Sequence, residues 1–240
     1  MYIDHFDVIV RKGKLLFNFK QAKYILRPLQ YIFDIDLQDF YQTIKETVKD
    51  NVQISDDKVL RIYIYEEENQ PIIRVNEILK STNSEILKLI VHKQINPLKG
   101  DNCFHLFIHS KHYWEIYYSR EGYDGFLCVN SRSRILKSNL GELIVFYNKV
   151  AYFLDIRNKF ISANPVIPAL AKYMQRKGMI KKYIGKSNGF SVNLIEKAQE
   201  VYLINTSVYR VELIDMGNRR FTYNKNNFEA LIKKYIENYG

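Results

Sequence analysis

Among the side chains able to do chemistry, Lys99 has the most suggestive setting. It sits in Pro97-Leu98-Lys99-Gly100-Asp101-Asn102, a turn ahead of an aromatic-rich run from Phe104 to Tyr118 that predicts a helix. A lysine held in a tight loop before a packed helix can anchor a cofactor. The ordinary alternative is a solvated loop lysine. His105 and His109 on the same run are four residues apart and could face one metal ion, with His112 nearby. No third ligand has a clear position, and a helix carrying Phe104, Phe107, Ile108 and Trp114 uses such histidines structurally, so no metal site is expected. Cys103 and His105 point to different helix faces and make no catalytic pair. A serine-nucleophile elbow, a Walker loop and a Rossmann glycine set are all missing.

The elements that must position Lys99 are legible as alternations and periodicities. Ile3 to Val10 alternates as a strand, Lys12-Gly13-Lys14 turns it back into Leu15-Leu16-Phe17, and a helix follows from Phe19 to Ile32, ending near Pro28 or just after it. Leu37, Phe40, Tyr41, Ile44 and Val48 recur at helical spacing behind Asp36, a plausible cap. Val59 to Tyr65, Ile72 to Val75 and Glu85 to Val91 complete an N-terminal half, with Glu66-Glu67-Glu68-Asn69 as an acidic hairpin loop. After Lys99 come a turn at Glu121-Gly122, a strand from Phe126 to Val129, and a hairpin of Leu143–Phe146 with Val150–Leu154 turning at Asn148-Lys149. A helix from Pro165 to Lys177 stops at Gly178, and 185–189 reads as loop. A short helix from Leu194 to Glu200 enters the strand Val201–Ile204. Val211–Asp215 and Arg220–Tyr223 form a hairpin, and an amphipathic helix closes the chain from Asn227 to Asn238.

Composition narrows the class. A chain of 240 residues with 47% hydrophobic content can bury one large or two small cores. No run approaches the ~20 apolar residues of a membrane span, and the N-terminus shows no signal peptide. Two cysteines without metal spacing read as buried thiols of a cytosolic protein. Net charge is +10, and nine Lys/Arg against the single acid Asp155 fall between Leu143 and Ile195. Without an RRM, KH, zinc-finger or helix-turn-helix signature this reads as a solvated basic surface, so nucleic acid is an unlikely partner on sequence grounds.

The order Lys-x-x-Asn, helix, Gly122-Tyr123-Asp124, then a buried strand ending in Asn130 resembles the core of the fold-type-IV pyridoxal-phosphate enzymes: branched-chain and D-amino-acid aminotransferases and aminodeoxychorismate lyase. Glu196 to Gly217 is similar to the family's short helix, Glu-Val-Phe-Leu strand and small polar turn, whose hydroxyl and N–H groups hold the cofactor phosphate; Thr206 and Ser207 fall on those positions. Phe19-Lys20-Gln21-Ala22-Lys23 aligns with an aromatic-His-x-x-Arg unit, so Lys23 stands for the phosphate arginine as a point charge without the bidentate fork.

The resemblance implies an α+β fold of two α/β domains of the D-amino-acid aminotransferase type, 1–95 and 96–240, with Lys99 in the cofactor cleft between them. It implies pyridoxal 5'-phosphate as cofactor, a homodimer, and either amino-acid transamination or elimination of pyruvate from aminodeoxychorismate to give 4-aminobenzoate. Two departures qualify it. Lys137 stands where the family has the carboxylate that keeps the ring nitrogen protonated, with Glu142 five residues on in place of an asparagine. The family's Gly-Ile-Thr-Arg phosphate loop corresponds to Val166-Ile167-Pro168-Ala169, where the glycine is gone and Pro168 lacks a backbone donor. The alternative is a homologue that has lost the cofactor and binds a partner through its basic 143–195 region.

Overall fold

The computed structural model describes residues 2–11, 14–15, 17–51, 58–78, 86–92, 113–129, 132–154, 166–205 and 208–238. The chain forms two compact units, Met1–Asn83 with Ile236–Gly240 and Ser84–Tyr235. The division expected after residue 95 falls within 93–112, outside the described residues.

In the first unit, β1 (Tyr2–Arg11), β2 (Lys14–Leu15), β3 (Lys58–Glu67) and β4 (Gln70–Ile78) make an antiparallel sheet in the order β2-β1-β3-β4. Alternation decides its inner face: Val8, Val10, Leu60, Ile62 and Ile64 are buried, whereas Arg61, Tyr63 and Tyr65 between them are half-buried. The β3–β4 turn has positive φ at Glu68 and Asn69, the mirror-image turn whose twist suits a two-residue hairpin, so the acidic run is the loop expected. Helices α1 (Phe19–Phe33) and α2 (Leu37–Asn51) pack on each other, and α2 packs on β4. Asp36 caps α2 by accepting from the Gln38 and Asp39 N–H groups at 2.7 and 3.0 Å. α1 runs through Pro28 and ends at Phe33, one residue beyond the expected Ile32. Its buried stripe of Ala22, Leu26 and Leu29 spans the proline and offsets the lost hydrogen bond.

The second unit is built on nine strands: β5 (Ile86–His92), β6 (Gly125–Val129), β7 (Ile135–Ser138), β8 (Glu142–Tyr147), β9 (Val150–Leu154), β10 (Lys182–Lys186), β11 (Glu200–Ile204), β12 (Val208–Asp215) and β13 (Arg220–Thr222). Their order is β10-β9-β8-β11-β12-β5-β6-β7, with β13 on β12. Its helices are α3 (described over 113–120), α4 (Val166–Arg176), α5 (Val192–Lys197) and, up to Tyr235, α6 (Glu229–Glu237). One face of the sheet gathers Leu89, Leu127, Ile135, Leu143, Val145, Leu203, Val211 and Ile214 into a core with Phe190 and Ile195.

Two strands differ from the sequence reading. The sequence pattern groups β5 with the N-terminal half, yet it lies in the second sheet, parallel to both β12 and β6. Its sequence Ile-Leu-Lys-Leu-Ile-Val-His is apolar enough for a strand flanked on both edges. The first two residues of the loop expected at 185–189 belong instead to β10, a polar strand parallel to β9. Its alternation is hidden because it borders the sheet. The β8–β9 turn has positive φ at Asn148 and Lys149, and Gly178 ends α4 at φ +70, both as expected. No helix among the described residues is long and apolar enough to cross a membrane.

Candidate functional site

The β7–β8 turn, Ser138-Asn139-Leu140-Gly141-Glu142, is the best-defined part of the candidate site. Asn139 holds it from one side, because its Oδ1 accepts from the Phe126 N–H at 2.7 Å while its Nδ2 donates to Glu115 of α3 at 2.9 Å. Ser138 Oγ accepts from the Leu140 N–H at 3.2 Å. Asn205 holds it from the other, donating from Nδ2 to the Leu140 carbonyl at 2.8 Å. Gly141, at φ +154, presses its bare Cα against the end of β11: a Cβ there would lie 2.7 Å from the Ile204 carbonyl oxygen. Only glycine lets the backbones approach this closely. The turn is thereby locked beside Asn205, and Glu142 opens β8 opposite Ile204 with 1% of its surface exposed.

A second cluster surrounds His92 at the end of β5. Its ring lies 4.4 Å from that of Trp114 and near those of Tyr118 and Phe126, and its Nδ1 is hydrogen-bonded to the Tyr118 hydroxyl. Nε2 is buried without a partner among the described residues. Burial pulls the His92 pKa below its usual value, and burial likewise raises that of Tyr118.

Gly122-Tyr123-Asp124 turns out to be an architectural joint. The Tyr123 hydroxyl donates to Asp215 at 2.6 Å, and the Asp124 carboxylate accepts from the Lys88 N–H at 2.7 Å, fastening the entry of β6 to β12 and β5. Burial works to raise the Asp215 pKa. Donation from Tyr123, the Gly217 N–H and Arg220 outweighs it and holds the group below its usual value. Glu200 is similar in kind: it accepts from Tyr202, Asn227 and the Phe228 N–H, tying β11 to the start of α6.

The expected site residues are distributed unevenly. Lys99, Thr206 and Ser207 lie outside the described residues, as do Cys103, His105, His109 and His112. Lys23 is exposed on α1 in the first unit. Lys137 lies in β7, inside a register shift between the pairs Val129↔Ile135 and Leu127↔Ser138. Cys128 is a buried free thiol. Asn139, Asn205 and His92 were missed by sequence reasoning. An Asn in a turn and a His ending an apolar strand carry no signal until their partners are known. Among the described residues no group of three or more His, Cys, Asp or Glu could hold a metal.

Of the residues that the resemblance relates to pyridoxal phosphate, the described ones are Lys23 on α1, Lys137 in β7 and Glu142 at the start of β8. A buried carboxylate, Glu142, follows the turn that Gly141 presses against β11. The start of α4 lacks one of the backbone donors that a phosphate-binding helix start would offer. Val166 and Ile167 are each 1% exposed, so their side chains are committed to the core, and Pro168 has no N–H.

No family model matches the sequence, and no curated protein matches it. Solved structures do match. A fold IV-transaminase from Curtobacterium pusillum superposes with a TM-score of 0.71 at 13% identity, covering 98% of this chain and 83% of its own. A hypothetical aminotransferase from Mycobacterium tuberculosis, in a form bound to alpha-ketoglutarate and PMP, gives 0.67 at 13% identity over 98% and 87%. A putative 4-amino-4-deoxychorismate lyase from Legionella pneumophila gives 0.62 at 15% identity over 95% and 88%. Across nearly its whole length, this chain has the fold of the fold-type-IV transaminases and aminodeoxychorismate lyases.

Proposed function

We propose that the protein is a pyridoxal-phosphate-dependent enzyme acting on an amino-acid-like substrate, with pyruvate elimination of the aminodeoxychorismate lyase kind favoured over transamination. The observation that carries this reading is the near-complete overlap of the backbone with both kinds of enzyme. It is supported by the locked approach of the 138–142 turn to Asn205.

When bound, pyridoxal phosphate supplies an electron sink for negative charge at the substrate α carbon. Lys99 anchors it through Nζ and moves the proton at that carbon. Thr206 and Ser207 hold the phosphate with their hydroxyls and N–H groups. Lys137, a cation at the family's acid position, opposes protonation of the ring nitrogen. Elimination asks less of the ring than transamination, which is why the lyase reading is preferred. By the same resemblance the protein is a homodimer.

One observation favours a second reading, a cofactor-free binding protein: the start of α4 carries Pro168, which lacks a backbone N–H, where a phosphate loop would offer a donor. The visible spectrum of the purified protein, with and without added pyridoxal phosphate, decides between them. The enzyme reading expects a visible band that Lys99→Ala abolishes. A spectrum identical for wild type and variant refutes it and favours the binding protein.

A further inference from the structure

Over the described residues of α3, 113–120, Tyr118 alone is buried. Trp114 and Glu115 are half-buried, whereas Tyr113, Ile116 and Tyr117 are 62%, 44% and 45% exposed. Trp114, Glu115 and Tyr118 share one stripe of the helix, and each has a partner on the sheet or its turns. The Tyr118 hydroxyl is hydrogen-bonded to His92 Nδ1. Trp114 lays its ring against the same imidazole, 4.4 Å between centroids, and stacks on Tyr118 at 5.8 Å. Glu115 accepts from Asn139 Nδ2 at 2.9 Å, so the helix that rests on His92 also holds the turn before Glu142.

The proton count at the His92–Tyr118 contact decides what acid does to it. A neutral imidazole with its hydrogen on Nε2 lets the Tyr118 O–H donate to Nδ1. That leaves one group unmet, the buried Nε2–H, which has no partner among the described residues. The other tautomer leaves two unmet, the Tyr118 O–H and the Nε2 lone pair, so the first is favoured. Protonation places a hydrogen on Nδ1 as well. Two donors then face each other, and Tyr118 can accept only by turning its own O–H elsewhere. The new charge sits on a residue 3% exposed, a costly place for a cation.

The described ionisable groups around the ring do not offset that charge. On α3 they are Tyr118 and Glu115, whose carboxylate is turned to Asn139. On β6 it is Cys128, the register partner of His92. On β12, Asp215 pairs with Ile90, two residues before His92, and its carboxylate is engaged by Tyr123, the Gly217 N–H and Arg220. On β5 itself Lys88 shares the face of His92 but lies about 13 Å away at a rise of ~3.3 Å per residue. Burial is the one cause of the lowered His92 pKa, with no charged group contributing. The Trp114 ring can offset part of the cost of a cation, yet the imidazolium is hydrated only once the helix moves off.

We propose that His92 and Tyr118 form an acid-released latch: protonation of His92 frees α3 from β5 and β6 and, through Glu115 and Asn139, slackens the 138–142 turn. Docking of the helix is complete above the ordinary histidine value of 6.5 and is lost as pH falls below it, because the released imidazole takes up a proton more readily than the docked one. Each pH unit below that value favours release by up to about tenfold, until the docked imidazole itself protonates. The latch needs no cofactor; only its effect on catalysis rests on the enzyme reading.

Trp114 is the one tryptophan of the chain, so its emission reports the contact directly. The full-length protein without added pyridoxal phosphate, titrated from about pH 8 to about pH 5, should show a red shift of that emission with its midpoint below 6.5. Hydrogen exchange read by mass spectrometry and corrected for the intrinsic pH dependence should find 113–120 at least about tenfold less protected at the acid end, with β8 and β11 unchanged. His92→Gln keeps a neutral donor and acceptor and should hold the emission flat. Tyr118→Phe, which has no bond to break, should leave 113–120 poorly protected already at the alkaline end. An emission insensitive to pH, a shift that survives in His92→Gln, or a Tyr118→Phe helix as protected as wild type would each overturn the proposal, as would loss of protection in β8 and β11 together with α3. Pyridoxal phosphate plays no part in these measurements, so the latch and the enzyme reading fail separately.

Discussion

Replacing Gly141 by alanine should destabilise the second unit more than a glycine substitution at an open turn does. Two separate effects are at work. At φ +154 a non-glycine residue carries strain of about 1–3 kcal/mol. The new methyl would also lie 2.7 Å from the Ile204 carbonyl oxygen, 2.8 Å from Leu203 Cδ2 and 3.1 Å from Asn205 Cβ. The carbonyl cannot swing aside, because Ile204 is paired with Glu142 on one side and Val208 on the other. Forcing a methyl into such a contact adds about 1–3 kcal/mol. The sum is roughly 2–6 kcal/mol, and at about 2–4 °C per kcal/mol for a unit of this size the melting temperature should fall by roughly 5–20 °C.

The control is Gly122→Ala. Gly122 has φ +83, but a Cβ there would meet nothing within 4 Å, so it carries left-handed strain alone, about 1–2 kcal/mol. Thermal denaturation followed by circular dichroism measures both variants side by side. The difference between them isolates the contact with β11. Equal melting temperatures for the two would refute the claim that the 138–142 turn is pressed onto the strand leading to Asn205.

Other consequences follow from the same geometry. Asn139→Ala removes the acceptor of the buried Phe126 N–H and the donor to Glu115, and should cost roughly 1–3 kcal/mol in urea denaturation; a change below about 0.5 kcal/mol would contradict the role given to Asn139. Asn139→Asp keeps the acceptor but sets a carboxylate against Glu115, so its deficit should grow as pH rises through the carboxylate range. Because the His92 pKa is lowered on folding, its stabilising contribution is complete above the ordinary value of 6.5 and is lost as pH falls below it. Asp215, also lowered, adds a second loss below 3.8. Urea midpoints measured against pH should show both declines, and His92→Leu should remove the upper one; an unchanged pH profile in that variant would exclude His92 as its source.

Much of the fold could be read from local pattern. The Glu68-Asn69 and Asn148-Lys149 turns, the Asp36 cap and the Gly178 stop each rest on chemistry confined to a few residues, and each is observed. The resemblance in element order, Lys99 to Gly122-Tyr123-Asp124 to the strand before Asn205, led to the correct architecture. β5 escaped because its partner β12 lies more than a hundred residues away, and parallel pairing leaves no turn signal. β10 escaped because an edge strand of Lys-Tyr-Ile-Gly-Lys lacks the apolar alternation of a half-buried one. α1 continued through Pro28 because tertiary packing outweighed local propensity. In the site, Lys137 and Glu142 were legible as departures from a pattern. That Glu142 is buried, and that Asn139 and Asn205 clamp the turn between them, depended on partners distant in sequence.

The central claim, a pyridoxal-phosphate enzyme anchored at Lys99, is tested most directly by trapping. The protein is incubated with pyridoxal phosphate, reduced with borohydride, digested and sequenced by mass spectrometry. The account predicts a pyridoxyl group on Lys99 as the dominant modification, displaced by an excess of amino-acid substrate added before reduction. Modification spread over surface lysines with Lys99 untouched would contradict it.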